Sequence, residues 1–326
     1  MLTTYVDALR QALAEEMARD ERVFLIGEDI GPYGGAFKVT DGLIDRFGAA
    51  RVIDTPISES AIVGAAVGAA YMGMRPVAEM QFMDFVGCAF DMITNFAAKS
   101  RYRCGLGVPL VVRGPCGGGV GGGPFHSVNP EAFFLNTPGL KIVEPSTAYD
   151  AKGLLKAAIR DDDPVLFFEH KFLYRRIKDD VPENEDYVVP LGRAITRREG
   201  RDATIVTFGA MMHTALEAAE ALAAPEIGVD VEVLDLRTLA PLDREAIIIS
   251  VAKTSRVAVL YEAPRTGGIG GEIAALIAEE AFEFLDAPVV RIASLDTPVP
   301  YSPPLEAAFL PTRDKVIAAV KQLVEY

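Results

Sequence analysis

Short, unbroken apolar runs alternate with segments of helical period along almost the whole chain, and this alternation restricts the fold more than any other feature. Val23-Phe24-Leu25-Ile26 and residues 52–57, 76–82, 109–113, 140–143 and 164–169 read as strands. Between them lie segments whose apolar residues fall three and four apart, as at Val6, Leu9, Leu13 and Met17 within 4–20. Further helices are expected over 61–72, 85–101 and 148–160. A strand that is apolar at consecutive positions is covered on both faces, and strands joined through helices run parallel. The expected fold class is therefore α/β with a parallel sheet.

The rhythm breaks at 178–190, a polar stretch with Pro182, Pro190, Glu183, Glu185 and Asp186, which reads as an interdomain connection. A second series comes after it, with strands at 203–208, 231–236, 257–261 and 289–292 and a last helix at 313–324. A chain of 326 residues suits two domains at roughly 150 residues each. The division expected is 1–185 and 186–326, the second domain being the smaller.

Composition removes several function classes. The net charge of −14 would repel a phosphate backbone, so no nucleic-acid partner is expected. The longest nearly apolar stretch, 61–74, falls short of the roughly 20 residues that span a bilayer, so no membrane association is expected. The start of the chain has no basic segment leading into an apolar run, so no signal peptide is expected. Cys88, Cys104 and Cys116 form no C-x-x-C pair, which argues against a disulfide framework or zinc site and fits a cytoplasmic protein.

Ligands of open parallel sheets bind beyond the carboxyl ends of strands, and three such turns stand out. In Asp54-Thr55-Pro56-Ile57-Ser58-Glu59-Ser60, Glu59 stands alone between an apolar strand and an apolar helix. It reads either as a helix-start carboxylate contributing about 0.3–1 kcal/mol or as a functional acid, with Ser58 or Ser60 free to cap the helix. The run Gly114-Pro115-Cys116-Gly117-Gly118-Gly119-Val120-Gly121-Gly122-Gly123-Pro124 contains a G-x-G-x-x-G, the fingerprint of a nicotinamide dinucleotide site. That fingerprint needs a helix to begin in the glycines, and Pro124 and Pro130 interrupt the segment just beyond them. The run reads instead as a backbone that approaches something closely. His126, on the far side of the run, can exchange protons near neutral pH, and a structural histidine is the competing reading. His170 and His213 read as structural.

These segments together resemble the β subunits of thiamine-diphosphate-dependent 2-oxo acid dehydrogenases, the decarboxylating first components of the pyruvate and branched-chain complexes. The likeness runs through Gly27-Glu28-Asp29, Gly35-Ala36-Phe37-Lys38-Val39-Thr40, Asp54-Thr55-Pro56-Ile57-Ser58-Glu59, Gln81-Phe82-Met83-Asp84-Phe85 and Arg101-Tyr102-Arg103. It continues in His126-Ser127, Pro145-Ser146-Thr147, Asp235-Leu236-Arg237-Thr238-Leu239, Glu262-Ala263-Pro264, Gly267-Gly268-Ile269-Gly270-Gly271-Glu272 and Asp296-Thr297-Pro298.

The resemblance implies a parallel-sheet domain that binds the thiamine pyrimidine, succeeded by a smaller transketolase C-terminal-like α/β domain. Glu59 matches the carboxylate that shares a proton with the pyrimidine and so activates the cofactor. Ile57, Gln81 and Phe85 match residues that line that ring. His126 matches the histidine used around acyl transfer to a lipoyl group, although the motif here reads His-Ser-Val-Asn in place of the usual His-Ser-Gln-Ser and is preceded by Phe125. Ala158, Ile159, Asp161 and Asp163 fall where relatives bind potassium, and a solvated acidic turn is the competing reading.

The Gly-Asp-Gly motif that holds the diphosphate and magnesium is absent. In two-chain members that motif lies on the α subunit, so half an active site is expected here. The implied assembly is a heterotetramer of two α and two β chains in a multienzyme complex. It shares thiamine diphosphate with the α subunit, keeps Mg2+ on the α subunit, and docks a dihydrolipoyl acyltransferase core through the C-terminal domain. Two other readings stay open: the β subunit of acetoin dehydrogenase, and a catalytically silent assembly subunit.

Overall fold

In the computed structural model, Thr4 accepts a hydrogen bond from the Asp7 amide and opens helix α1 (Tyr5–Arg19), whose apolar face is buried. The structure describes residues 2–182 and 185–326, so Met1, Glu183 and Asn184 lie outside the described residues. The chain forms two compact units, one of Met1–Cys116 with Phe133–Leu191 and one of Gly117–Ala132 with Gly192–Tyr326. The glycine run and the segment after it thus group with the C-terminal part of the chain.

In the first unit the strands are β1 (Val23–Gly27), β2 (Val52–Asp54), β3 (Arg75–Glu79), β4 (Val111–Cys116), β5 (Lys141–Val143) and β6 (Val165–His170). They lie in the order β5-β6-β4-β3-β1-β2, all neighbours parallel. Every residue of β1, β4 and β6 is buried, as consecutive apolar runs in a doubly covered sheet require. Helices α2 (Glu59–Tyr71) and α3 (Ala148–Arg160) join them. Residues Lys178–Asp180, within the polar stretch read as a connection, form a strand that pairs antiparallel with Leu2–Thr4.

A fully buried Arg113 on β4 ties three neighbouring strands together. It binds both oxygens of Glu169 on β6 at 2.5 Å and pairs with Glu79 on β3. Tyr174 donates to Glu169 at 2.7 Å. Burial pushes the Glu79 carboxyl above its ordinary range, against the pull of Arg113.

The second unit has β7 (Ile195–Arg198), β8 (Ala203–Thr207), β9 (Val231–Asp235), β10 (Val257–Pro264) and β11 (Val290–Ser294) in the order β11-β10-β8-β9-β7. The first four strands of that order run parallel, and β7 is antiparallel to β9. Among the described residues no helix is long and apolar enough to cross a membrane.

Candidate active site

The strand order of the first unit reverses at β1, with β2 on one side and β3 on the other. A crevice opens at such a switch point, beyond the carboxyl ends of the strands. The turns there carry Glu28 and Asp29 after β1, residues 55–59 after β2, and Gln81 after β3. Backbone bonds draw these turns together. The Thr55 amide donates to the Gly27 carbonyl at 2.9 Å, and the Gly31 amide donates to Asp54 Oδ1 at 2.6 Å. Gln81 Nε2 spans the switch to Asp29 Oδ2 at 3.2 Å. Asp29 takes a left-handed backbone, φ 56°, which aspartate tolerates better than most residues.

Glu59 is the first residue of α2 and is half-buried. Ser58 occupies the N-cap position without a capping bond, and its hydroxyl donates instead to the Pro56 carbonyl at 3.2 Å. The carboxyl that burial raises here is that of Glu28, with the Glu59 charge adding to the rise and the Ser58 amide opposing it. A buried acid beside a second carboxylate suits the retention of a proton on Glu28. Glu28 Oε1 and Thr55 Oγ1 are both buried without a hydrogen-bond partner among the described residues. Ile57 is 82% exposed, so it is no part of the core of this chain. Phe85 is half-buried and meets Phe82 edge-on, with centroids 6.2 Å apart. Sequence alone assigns Glu28 no role beyond its place in the family likeness. Its position directly after a parallel strand is the available signal.

His126 lies in the second unit, at the end of the glycine run, and is half-buried. Gly117, Gly119, Gly121 and Gly123 all have positive φ, between 66° and 83°. Alternation of this kind aims successive amides to one side, as in anion-binding nests. Carboxylates of the same unit fill that role. Gly118 donates to Glu262 Oε1 at 2.6 Å, and Gly119 and Gly121 donate to the two oxygens of Glu306 at 2.9 and 3.0 Å. Asn129 Nδ2 reaches the same Glu262 Oε1 at 2.9 Å, and the Gly117 amide meets the Val128 carbonyl at 3.2 Å. Glu131 is buried with neither carboxyl oxygen hydrogen-bonded to another described residue. Burial pushes its carboxyl up to about 8, opposed by its own backbone amide and reinforced by the Glu262 charge. The roles of Glu306 and Glu131 have no local signal in the sequence, and Glu262 has none beyond its place in the family likeness. No long helix begins in the glycines; a three-residue 3-10 turn, Gly123–Phe125, stands there, so the dinucleotide fingerprint lacks its helix.

The acidic turn after α3 is an ion-pair network. The carbonyls of Ile159 and Asp161 accept from Arg75 at 3.1 and 2.9 Å. Asp161 pairs with Lys141 and Asp163 with Arg101, at 2.5 and 2.6 Å. The Ala158 carbonyl accepts from the Asp161 amide at 3.3 Å. Each of these carbonyl oxygens has a second lone pair beyond the hydrogen bond it accepts.

Residues 3–176 match the transketolase pyrimidine-binding domain and residues 192–316 the transketolase C-terminal domain. The 2-oxoisovalerate dehydrogenase subunit beta of Bacillus subtilis is 53% identical over 99% of both chains. The chain belongs to the β-subunit family of 2-oxo acid dehydrogenases. The pyruvate dehydrogenase E1 component subunit beta of Porphyra purpurea is 49% identical, over 98% of this chain and 96% of its own. The acetoin:2,6-dichlorophenolindophenol oxidoreductase subunit beta of Bacillus subtilis is 46% identical over the same shares. A solved structure titled "Split gene transketolase, inactive beta4 tetramer" superposes with a TM-score of 0.81 at 25% identity, covering 98% of each chain. This β subunit thus has the α/β pair of domains expected from its sequence. Its switch-point crevice fits a heterocyclic cofactor: it presents orphaned buried oxygens at Glu28 and Thr55, an acid at Glu59 and an exposed aliphatic side chain at Ile57.

Proposed function

We propose that this chain, with an α-type partner, carries out the oxidative decarboxylation of a 2-oxo acid and passes the acyl group to a lipoyl arm. The observation that carries the reading is a buried Glu28 at the switch point, with one oxygen unpartnered among the described residues and its carboxyl raised by burial and by the Glu59 charge. Thiamine diphosphate, when bound, supplies the nucleophilic carbon and the electron sink for loss of carbon dioxide. Glu59 would hold a proton at the pyrimidine ring nitrogen, as a general acid positioned at the ring does. Ile57 and Phe85 give the ring apolar walls, and Gln81, anchored on Asp29, fixes a polar edge. His126 serves acyl transfer, where a group that titrates near neutrality can give and take a proton.

The diphosphate and its Mg2+ fall to the α subunit, since this chain has no Gly-Asp-Gly. The working assembly is two α and two β chains, with the C-terminal unit facing the acyltransferase core. Three cysteines without a disulfide suit a reducing compartment such as the cytoplasm. The identities favour a branched-chain 2-oxo acid, with pyruvate and acetoin as the competing substrates. The turn of Ala158, Ile159, Asp161 and Asp163 is kept in this reading as the candidate potassium site.

Glu59→Gln keeps the size of the side chain and removes the acid. In the reconstituted α/β protein it is expected to lower 2-oxo acid decarboxylation by about a hundred-fold or more, the range that general acid–base catalysis contributes. Near-normal turnover, measured as carbon dioxide release, would sink the mechanism. It would also revive the silent assembly subunit.

A further inference from the structure

We propose that Glu306, together with Glu262, positions His126 by fixing the glycine run that precedes it. The inference rests on the reading of His126 as the acyl-transfer residue and goes beyond it. A seven-residue run with six glycines, 117–123, has little conformational preference of its own. Something outside the run must select one conformation if the residue at its end is to be placed reproducibly. Glu306, on the short helix Pro303–Phe309, is buried and gives one oxygen each to the Gly119 and Gly121 amides. The alternating backbone of the run turns both amides toward the same carboxylate.

Glu262 closes the other side. A single oxygen accepts from Gly118 on the outgoing limb and from Asn129 on the returning limb. His126 therefore sits on a loop gripped at both ends by two carboxylates of the same unit. The grip is close: a Cβ at Gly118 would lie 3.3 Å from Glu306 Oε1 and 3.4 Å from Glu262 Oε1. At Gly123 a Cβ would meet the Tyr301 ring at 2.2 Å. Gly123 is thus required both by the ring that lies against it and by its φ of 66°.

Both oxygens of Glu306 are acceptors, and glutamine has only one acceptor oxygen. In Glu306→Gln one glycine amide therefore faces an NH2 group and is released. The test uses the reconstituted α/β protein with a lipoyl domain as acceptor, and separately with an artificial electron acceptor. The expected result is that the ratio of lipoyl acylation to artificial-acceptor turnover falls about ten-fold or more in Glu306→Gln, as displacement of a reacting group by about an ångström does. His126→Ala, run beside it, is expected to lower the same ratio. Hydrogen exchange in 117–129 should rise in Glu306→Gln, while the rest of the second unit keeps its protection.

If His126→Ala lowers the ratio and a folded Glu306→Gln keeps the wild-type value, the positioning role is overturned and the His126 reading stands. If His126→Ala leaves the ratio unchanged, the His126 reading itself is lost. A parallel fall of both activities in Glu306→Gln with uniform loss of protection would mark a merely structural residue and also overturn the proposal. Should Glu306→Gln fail to fold, Asn129→Ala decides. It removes one donor from the returning limb and is expected to lower the ratio about three-fold, and an unchanged ratio in that variant would overturn the proposal.

Discussion

Glu131 shows what burial does to a single acid. Its carboxyl is raised from 4.5 to about 8, chiefly by desolvation and with the Glu262 charge adding. In the folded chain it therefore keeps its proton at pH 7, and in the unfolded chain it does not. Between about pH 4.5 and 8 the folded state binds one more proton than the unfolded state, so stability falls as pH rises through that window. The slope for one proton approaches roughly 1.4 kcal/mol per pH unit. Glu131→Gln, neutral at every pH, is expected to flatten that decline and to raise the melting temperature above the native protein's at about pH 8.5, just past the folded-state value. Scanning calorimetry at about pH 6 and 8.5, inside and beyond the window, checks it. Equal pH slopes in the two proteins would contradict a buried, protonated Glu131. Residues of this kind are the least legible in the sequence. Glu59 and His126 can be picked out because each stands in a distinctive turn, whereas Glu262 and Glu306 lie 144 and 187 residues from the amides they receive.

Elements are legible where the chain marks its own ends. Thr147 and Thr312 cap helices at 148–160 and 313–324, and both have the bounds expected from periodicity. The single helix expected over 85–101 does not form. A 3-10 stretch (Met83–Ala89), a π stretch (Met92–Ala97) and a short α stretch (Ser100–Cys104) stand there instead. The buried residues Met83, Val86 and Ala89 recur every third position, the period of a 3-10 helix. Ile93 and Ala97 then recur at four. The apolar pattern is helical throughout, but its step changes along the segment, and a single period averages over that change. Across β3, β4 and β6, Arg113 is the shared partner of two buried carboxyls. Arg113→Met roughly keeps the volume and strands both acids, and it is expected to cost about 3–5 kcal/mol in chemical denaturation. A loss below about 1 kcal/mol would mean that both carboxyls take up protons and tolerate the change.

At the scale of the whole molecule, the alternation of strand and helix is enough for an α/β chain with two largely parallel sheets. The order of strands is not legible, because it arises from packing between helices rather than from any one segment. That order puts β1 at the reversal and so gathers Glu28, Glu59 and Gln81. The proposed division of the site between two chains carries its own expectation. Without an α partner the protein should bind thiamine diphosphate poorly, since no residues here resemble the diphosphate clamp. Titration calorimetry on the isolated chain checks this, and a dissociation constant in the micromolar range would contradict a half-site. The assignment of 117–132 to the C-terminal unit bears on how the gene can be dissected. A cut after residue 185 leaves Glu262 and Glu306 on one fragment and their glycine amides on the other. Neither fragment then carries a complete His126 loop, and the two would have to be produced together for it to reassemble.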